Sequence, residues 1–425
     1  MQRTATLLTA LLAPVALFAQ DPAAAPTASQ SALVIRTDAP TVAMGVLSSF
    51  GSEEDLPELS EGQVFVLSLD DGGAVNVRAG EGSGWLDIQA RPPQLMEIFA
   101  EQVAQYRQMG QMIGGMMMAQ QGMDPEATNR VIAALFDFPK QVETLSLRIP
   151  SNPEETGGLD LSLGLSPLAD TGFDQFVTSL KSASGGVRKL PGKGAMIRGD
   201  FNVDLSAIHD EVQTLSELFG TMGIQDAELK EQTLDLNRRF AETMTGTGSF
   251  LFGADGLRFL AGAKQPDALK ALLHSEAYAE AYIAGTEASG QAKATMEPIA
   301  FEHGDVAVSR TVVEFDDPSA VPFVDDGIVR VFSAVAGDSL VITGFGTDPD
   351  ATVKALIDDV LADRIPAEAL DKGVLARFEI DLPALAEMMS EFGDGQPAPD
   401  EGMPARLDMV LSKQNRTLTL QVKAK

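Results

Sequence analysis

The chain has 425 residues, 61 acidic against 31 basic side chains for a net charge of −30, and no cysteine. A chain of this length can bury enough surface to hold itself together without disulfides, which it cannot form. Its charge repels nucleic acid phosphates and anionic lipid surfaces, so neither is expected as a partner.

Residues 1–19 carry one basic residue, Arg3, then the apolar run Leu7 to Phe18, then the small Ala19, the order found in a secretory signal peptide. The run contains Pro14 and falls short of the roughly 20 residues that cross a bilayer, so export is expected rather than anchoring, to a periplasm or the cell exterior. Residues 20–32 are small and polar with two prolines and read as a disordered linker. Two α+β units, 33–194 and 195–425, are expected to follow, divided at the Gly/Lys stretch between Ser184 and Gly194.

Strand signals run from Leu33 to Arg36, Val64 to Leu69 and Ala74 to Arg78, with Asp70-Asp71-Gly72-Gly73 as the turn between the last two. Trp85-Leu86-Asp87-Ile88 leads through Pro92-Pro93 into Leu95-Met96-Glu97-Ile98-Phe99, a strand followed by a helix start. The same switch from period two to helical spacing opens at Phe201-Asn202-Val203-Asp204-Leu205 and again at Phe378-Glu379-Ile380-Asp381-Leu382. In the first of these the helical positions are Ile208, Val212, Leu215 and Leu218; in the second they are Leu385, Met388, Met389 and Phe392. A second segment, two strands and then an amphipathic helix, occurs at 142–180, 248–273 and 328–361. Pro266-Asp267 and Pro349-Asp350 each suit a first helical turn, where proline loses no bond and an acid meets the positive dipole end. The whole predicts an α+β fold of mainly antiparallel sheets with helices packed on one face, built from duplicated strand-helix and hairpin-helix segments.

No HExxH, GxSxG, SxxK, CxxC or Walker A pattern occurs, so no activated nucleophile or metal hydrolase shows its local signature. His209 and His274 fall on helices, and Glu302-His303-Gly304-Asp305 reads as a hairpin turn before it reads as a ligand set. The Asp-rich turns lack the spacing of a calcium loop. No cofactor, metal or catalytic residue is therefore assigned. A hydrolase with carboxylates assembled from separate turns stays open as an alternative.

The most unusual stretch is Gln108 to Met123, which holds six of the 17 methionines. It continues the apolar positions Leu95, Ile98, Phe99, Val103 and Tyr106, either as one long helix or as two hinged at Gly114-Gly115. Thioethers fill irregular cores, repack around varied apolar partners, or bind copper(I). The ligand-binding residues expected on this reading are Leu95, Phe99, Met112, Met116 and Met117, lining a groove for a hydrophobic small molecule, lipid or peptide. The function expected is an exported soluble, non-catalytic binding or structural protein.

Overall fold

The computed structural model describes residues 31–50, 56–70, 73–82, 84–120, 132–191, 195–208, 226–253, 255–287, 292–316, 327–346, 348–392 and 404–425. The expected signal peptide, nearly all of the linker, Asp71-Gly72, His209, Val212, Leu215, Leu218 and the Gly393-Asp394-Gly395 turn lie outside these residues. The chain divides into two compact units. Of the described residues, the first takes those up to Val177 and the C-terminal segment from Gln414; the second takes those of Thr178–Lys413.

The first unit begins β1 (Leu33–Thr37), α1 (Pro40–Ser49), β2 (Gln63–Leu69), β3 (Val75–Glu81) and β4 (Leu86–Ala90). It goes on through α2 (Pro92–Ile98), α3 (Ala100–Gln120), β5 (Val142–Ile149), β6 (Leu159–Pro167) and α4 (Gly172–Ser179). The second unit holds β7 (Val187–Arg188), β8 (Ala195–Asn202), α5 (Ala227–Thr243), β9 (Met244–Gly253), β10 (Gly256–Ala263), α6 (Pro266–Leu273) and α7 (Glu276–Glu287). Then come β11 (Ala292–His303), β12 (Val306–Phe315), β13 (Ile328–Ala336), β14 (Ser339–Gly344) and α8 (Pro349–Leu361). It closes with β15 (Ala367–Glu368), β16 (Val374–Asp381), α9 (Leu382–Phe392) and β17 (Arg406–Gln414), and β18 (Thr417–Ala424) returns to the first unit.

Strands of the first unit lie in the order β18-β6-β5-β4-β1-β2-β3, and those of the second in the order β11-β12-β13-β14-β10-β9-β8-β16-β17. All the pairings are antiparallel, so the mixed α+β class with a large antiparallel sheet is what forms. Within these orders a three-strand meander recurs, as β1-β2-β3, β4-β5-β6, β8-β9-β10 and β12-β13-β14. In the first three, helix intervenes between the opening strand and the second. Adjoining meanders meet like to like: opening strands pair at β1–β4, and closing strands pair at β10–β14.

Local chemistry explains where these elements begin and end. α1, α2, α6 and α8 each open with proline in the first turn, where its missing N–H would have had no helical partner. Asp348 caps α8 by accepting from the Ala351 amide at 3.0 Å, and Asp226 caps α5 by accepting from the Glu228 and Leu229 amides. The β11–β12 turn is closed by Gly304 at φ +59, so Glu302, His303, Gly304 and Asp305 form a hairpin.

The core of the first unit gathers alternate strand residues, Leu33, Ile35, Leu67, Leu69, Leu86, Ile88, Leu147 and Ile149, beneath Ala43, Val46 and Leu47 of α1. Trp85, the chain's single tryptophan, and Phe99 are buried in the same core. α4 adds Phe173 and Val177 against Val142, Leu145 and Leu165 on that same sheet face. In the second unit the expectation of helices on one face is corrected. α8 covers Leu260, Phe332, Ala334 and Val341, whereas α6 covers the opposite face at Ala261, Ala263, Val335 and Leu340. The reason is legible in β13 and β14, which are apolar at consecutive rather than alternate positions, as strands buried on both faces must be.

The β8–β9 pair shows how tightly register is set. Gly199 lies opposite Phe250, and Phe201 lies opposite Gly248. A Cβ on Gly199 would sit 2.2 Å from the Phe250 ring, and one on Gly248 would sit 2.2 Å from the Phe201 ring, so each ring lies across the glycine of the facing strand. Phe250 then reaches Phe378 of β16 at 6.2 Å between centroids, and Phe201 stacks on Phe259 of β10 at 6.0 Å. A slip of two residues in one direction would set the Phe201 ring against Phe250, and in the other would leave Gly199 facing Gly248.

Candidate apolar docking site

Between β4 and β5 the first unit departs from its sheet in a helical excursion. α2 leaves β4 at Pro92 and Pro93 and runs almost without a break into α3, because the Phe99 amide donates to the Leu95 carbonyl at 3.0 Å and the Val103 amide donates to that of Phe99 at 2.9 Å. Phe99 is 4% accessible in the core, and Leu95, Ile98 and Val103 are half-buried against it. This end of the excursion is an anchor.

Beyond the anchor, side chains turn outward. Tyr106 is 39% accessible, Met109 47% and Met112 60%. α3 continues as a single helix through Gly114-Gly115 to Gln120, so the one-helix alternative is the one that forms. A helical segment over 132–137 returns beside α3: a Cβ on Gly110 would meet the Phe136 ring at 3.6 Å and Ile132 at 3.9 Å. The glycine therefore admits close helix approach at the crossing. Leu135, 68% accessible, and Phe138, 40% accessible, add to the exposed surface on the returning segment. Phe138 also meets Phe173 of α4 edge-on at 5.0 Å between centroids, which ties the return to the sheet-covering layer.

The described charges of the excursion, at Arg91, Glu97, Glu101, Arg107, Asp137 and Lys140, all lie outside the Gln108 to Met123 run. Asp137 accepts from Lys140 at 2.7 Å and lies 3.9 Å from Arg107; the Lys140 hydrogen bond, aided by the Lys140 and Arg107 charges, holds its carboxyl below the usual range. Gln108 to Met123 contains no charged residue at all. In a chain of net charge −30 that is a local suspension of the general rule.

The expected site residues thus fall into different surroundings. Leu95 and Phe99 face the sheet, Met112 is exposed on α3, and Met116 and Met117 lie on the last turns of α3 with side chains outside the described residues. Leu135 and Phe138 were not anticipated. Their only sequence signal was a pair of large apolar residues in a short segment whose helical face could not be oriented without knowing that α3 lies beside it.

Several carboxylates elsewhere already have structural partners, whereas Asp200 of β8, 5% accessible, keeps one oxygen without a hydrogen-bond partner. A cavity of about 420 Å³ in the second unit is lined by Asp255, Asp348 and Asp359 with Arg258. Arg258 bonds Asp255 at 3.2 Å, Arg364 bonds Asp359 at 2.6 Å, and Asp348 caps α8. His303 meets Asp358 at 2.9 Å across to α8. Among the described residues no group of three or more histidine and acid ligands converges, and no helix is long and apolar enough to cross a membrane. No family model matches the chain, and neither the curated proteins nor the solved structures contain a match to it.

Proposed function

We propose that this chain is an exported, non-catalytic binding or structural protein that engages an apolar partner through the helical excursion of its first unit. The observation that supports the reading is the concentration of Tyr106, Met109, Met112, Leu135 and Phe138, all exposed, on two neighbouring helical segments flanked by a 16-residue uncharged run. Isolated exposed apolar residues are ordinary on a protein surface, but several gathered on two adjoining helical segments favour an interaction site. Methionine suits a partner of variable shape, since its unbranched thioether repacks. The partner classes are a hydrophobic small molecule, a lipid or an apolar peptide. The leader sequence directs the chain to the periplasm or the exterior, where the acidic surface keeps it dispersed. The recurring meanders arise, on this reading, by duplication of one strand-helix-hairpin segment, and they supply the scaffold on which the excursion is mounted.

The test is to replace Met109, Met112 and Leu135 together by glutamine and to measure uptake of a fluorescent hydrophobic probe alongside native mass. The wild-type chain should take up the probe, and the variant should lose most of that signal while keeping its thermal midpoint. A wild-type chain that ignores the probe, or a variant that binds it equally, refutes the reading. Met109 and Met112 lie one helical turn apart and exposed, so the same preparation is assayed for copper(I); metal held by the wild type and lost in the variant replaces the apolar partner with a thioether site.

A further inference from the structure

We infer that the face of the first unit's sheet that no described helix covers binds an acidic polysaccharide. The described helices of this unit pack on the other face, at Leu33, Ile35, Leu67, Ile88, Leu147 and Leu165. Strand alternation therefore sends the intervening residues to the uncovered face. There Arg148 of β5 lies opposite Asp87 of β4, Asp87 opposite Arg36 of β1, Arg36 opposite Val66 of β2, and Val66 opposite Arg78 of β3. These five residues form one row running perpendicular to the strands, with an arginine on every second strand.

None of the three arginines makes an ion pair or a side-chain hydrogen bond among the described residues, in a chain with 61 acids to choose from. In the second unit Arg188, Arg238, Arg258, Arg310, Arg364 and Arg377 each meet a carboxylate. On the row itself Asp87 is the single acid, and the nearby Asp160 is taken by Lys423 at 3.0 Å. Arg78 and Arg148 are exposed, Arg36 is half-buried, and Val66, opposite both Arg36 and Arg78, is buried with Val34 and Val64 in a small apolar cluster on this face. The row therefore carries a local positive excess, and general repulsion from the rest of the molecule is screened beyond roughly 8 Å at physiological salt.

Spacing selects the kind of anion. Strands about 4.8 Å apart put successive arginines about 9.6 Å apart. An extended acidic peptide repeats its same-side carboxylates at about 6.7 Å, and single nucleic acid strands carry phosphates closer still, so both run out of register with the row. A uronic acid polymer with two-fold geometry turns like-facing carboxylates to one side at every second sugar, the longer repeat the row requires. Its hydroxyls would meet Gln89, Ser146, Ser162, Thr419 and Gln421, polar residues on the same face. Arginine's planar fork matches a carboxylate in a bidentate fashion, which a hydrated lysine cannot do.

The experiment is affinity electrophoresis of the full chain in gels containing polygalacturonate, with dextran and polyglutamate gels alongside. The wild type should be retarded by polygalacturonate alone, and retardation should fade as salt is raised. The triple variant R36Q/R78Q/R148Q, which keeps much of each apolar stem, should bind on the order of tenfold more weakly. Asp87→Asn should bind more tightly than wild type, a gain that damaged folding could not produce. The inference is overturned if polygalacturonate does not retard the wild type, if the triple variant is retarded equally, if Asp87→Asn gains nothing, or if dextran or polyglutamate retards the chain as strongly.

Discussion

Truncating the two ends of the excursion separates its structural role from its docking role. Phe99 is 4% accessible among the core residues of the first unit, so Phe99→Ala removes a buried ring and leaves a cavity, a loss of about 3–5 kcal/mol. Met112 is 60% accessible and keeps about two fifths of the burial that a core methionine would have. With about 1.5–3 kcal/mol for complete burial, Met112→Ala should cost at most about 1 kcal/mol, an upper bound because the unfolded chain already hides some surface. Trp85 is the single tryptophan, is 8% accessible, and shares the core with Phe99, so its fluorescence during urea titration reports this unit specifically. The expected midpoints put Met112→Ala near wild type and Phe99→Ala far below it. If Met112→Ala lowered stability as much as Phe99→Ala, the methionine would be core, and the exposed surface on which the docking proposal rests would not exist.

Other expectations concern the second unit. Gly246 has φ +87, and a Cβ there would fall 1.7 Å from the Val203 carbonyl oxygen, whereas Gly337 at φ +55 has nothing within 4 Å. Both Gly→Ala changes incur left-handed strain of about 1–2 kcal/mol, but Gly246→Ala also forces apart the Val203–Gly246 backbone bond and should cost about 3 kcal/mol or more in urea melts followed by circular dichroism. Equal losses would show that the strand start yields freely. Burial, helped by neighbouring Tyr282, pushes the Tyr278 phenol up to about 12 from 10.0. Because the folded form favours the neutral phenol, stability should fall as pH rises from about 10 toward 12, and ultraviolet difference absorbance should show a late-ionising tyrosine that Tyr278→Phe abolishes. Burial and the Lys270 charge hold the His274 imidazole below its ordinary 6.5, against a hydrogen bond with the Ala307 backbone. The unfolded state takes up the proton first, so stability is full above 6.5 and declines as pH falls below it; His274→Gln should flatten that part of the pH profile, and an unchanged slope would assign it to other groups.

Much of the scaffold was legible because its signals are local. Alternation marked β6, runs of apolar residues marked β2 and β10, prolines marked the starts of α2, α6 and α8, and the Phe201 and Phe378 segments marked two strand-to-helix transitions. The Phe378 segment does lead into a helix, α9, and the Phe201 segment into a single 3-10 turn at Leu205–Ile208 before the described residues pause. What could not be read was relational. Nothing local says that Gly199 will face Phe250, that Arg36 and Asp87 will share a row, or that α8 will cover the face opposite to α6. The candidate site was legible by half for the same reason. Composition marked Gln108 to Met123 as unusual, while the division into buried Phe99 and exposed Met112 depends on how far α3 projects from its anchor.

The like-to-like meeting of meanders carries a consequence for how such a molecule can be lengthened. A seam between two opening strands, β1–β4, differs in kind from a seam between two closing strands, β10–β14. Each meander therefore has two unlike margins, and one that joins a neighbour by its opening margin offers its closing margin to the next. Removing one meander of a pair, β1-β2-β3 or β4-β5-β6, would bare the opening strand of the other, whereas removing both takes their seam with them. The building step of this architecture is the pair, with the single meander as its half.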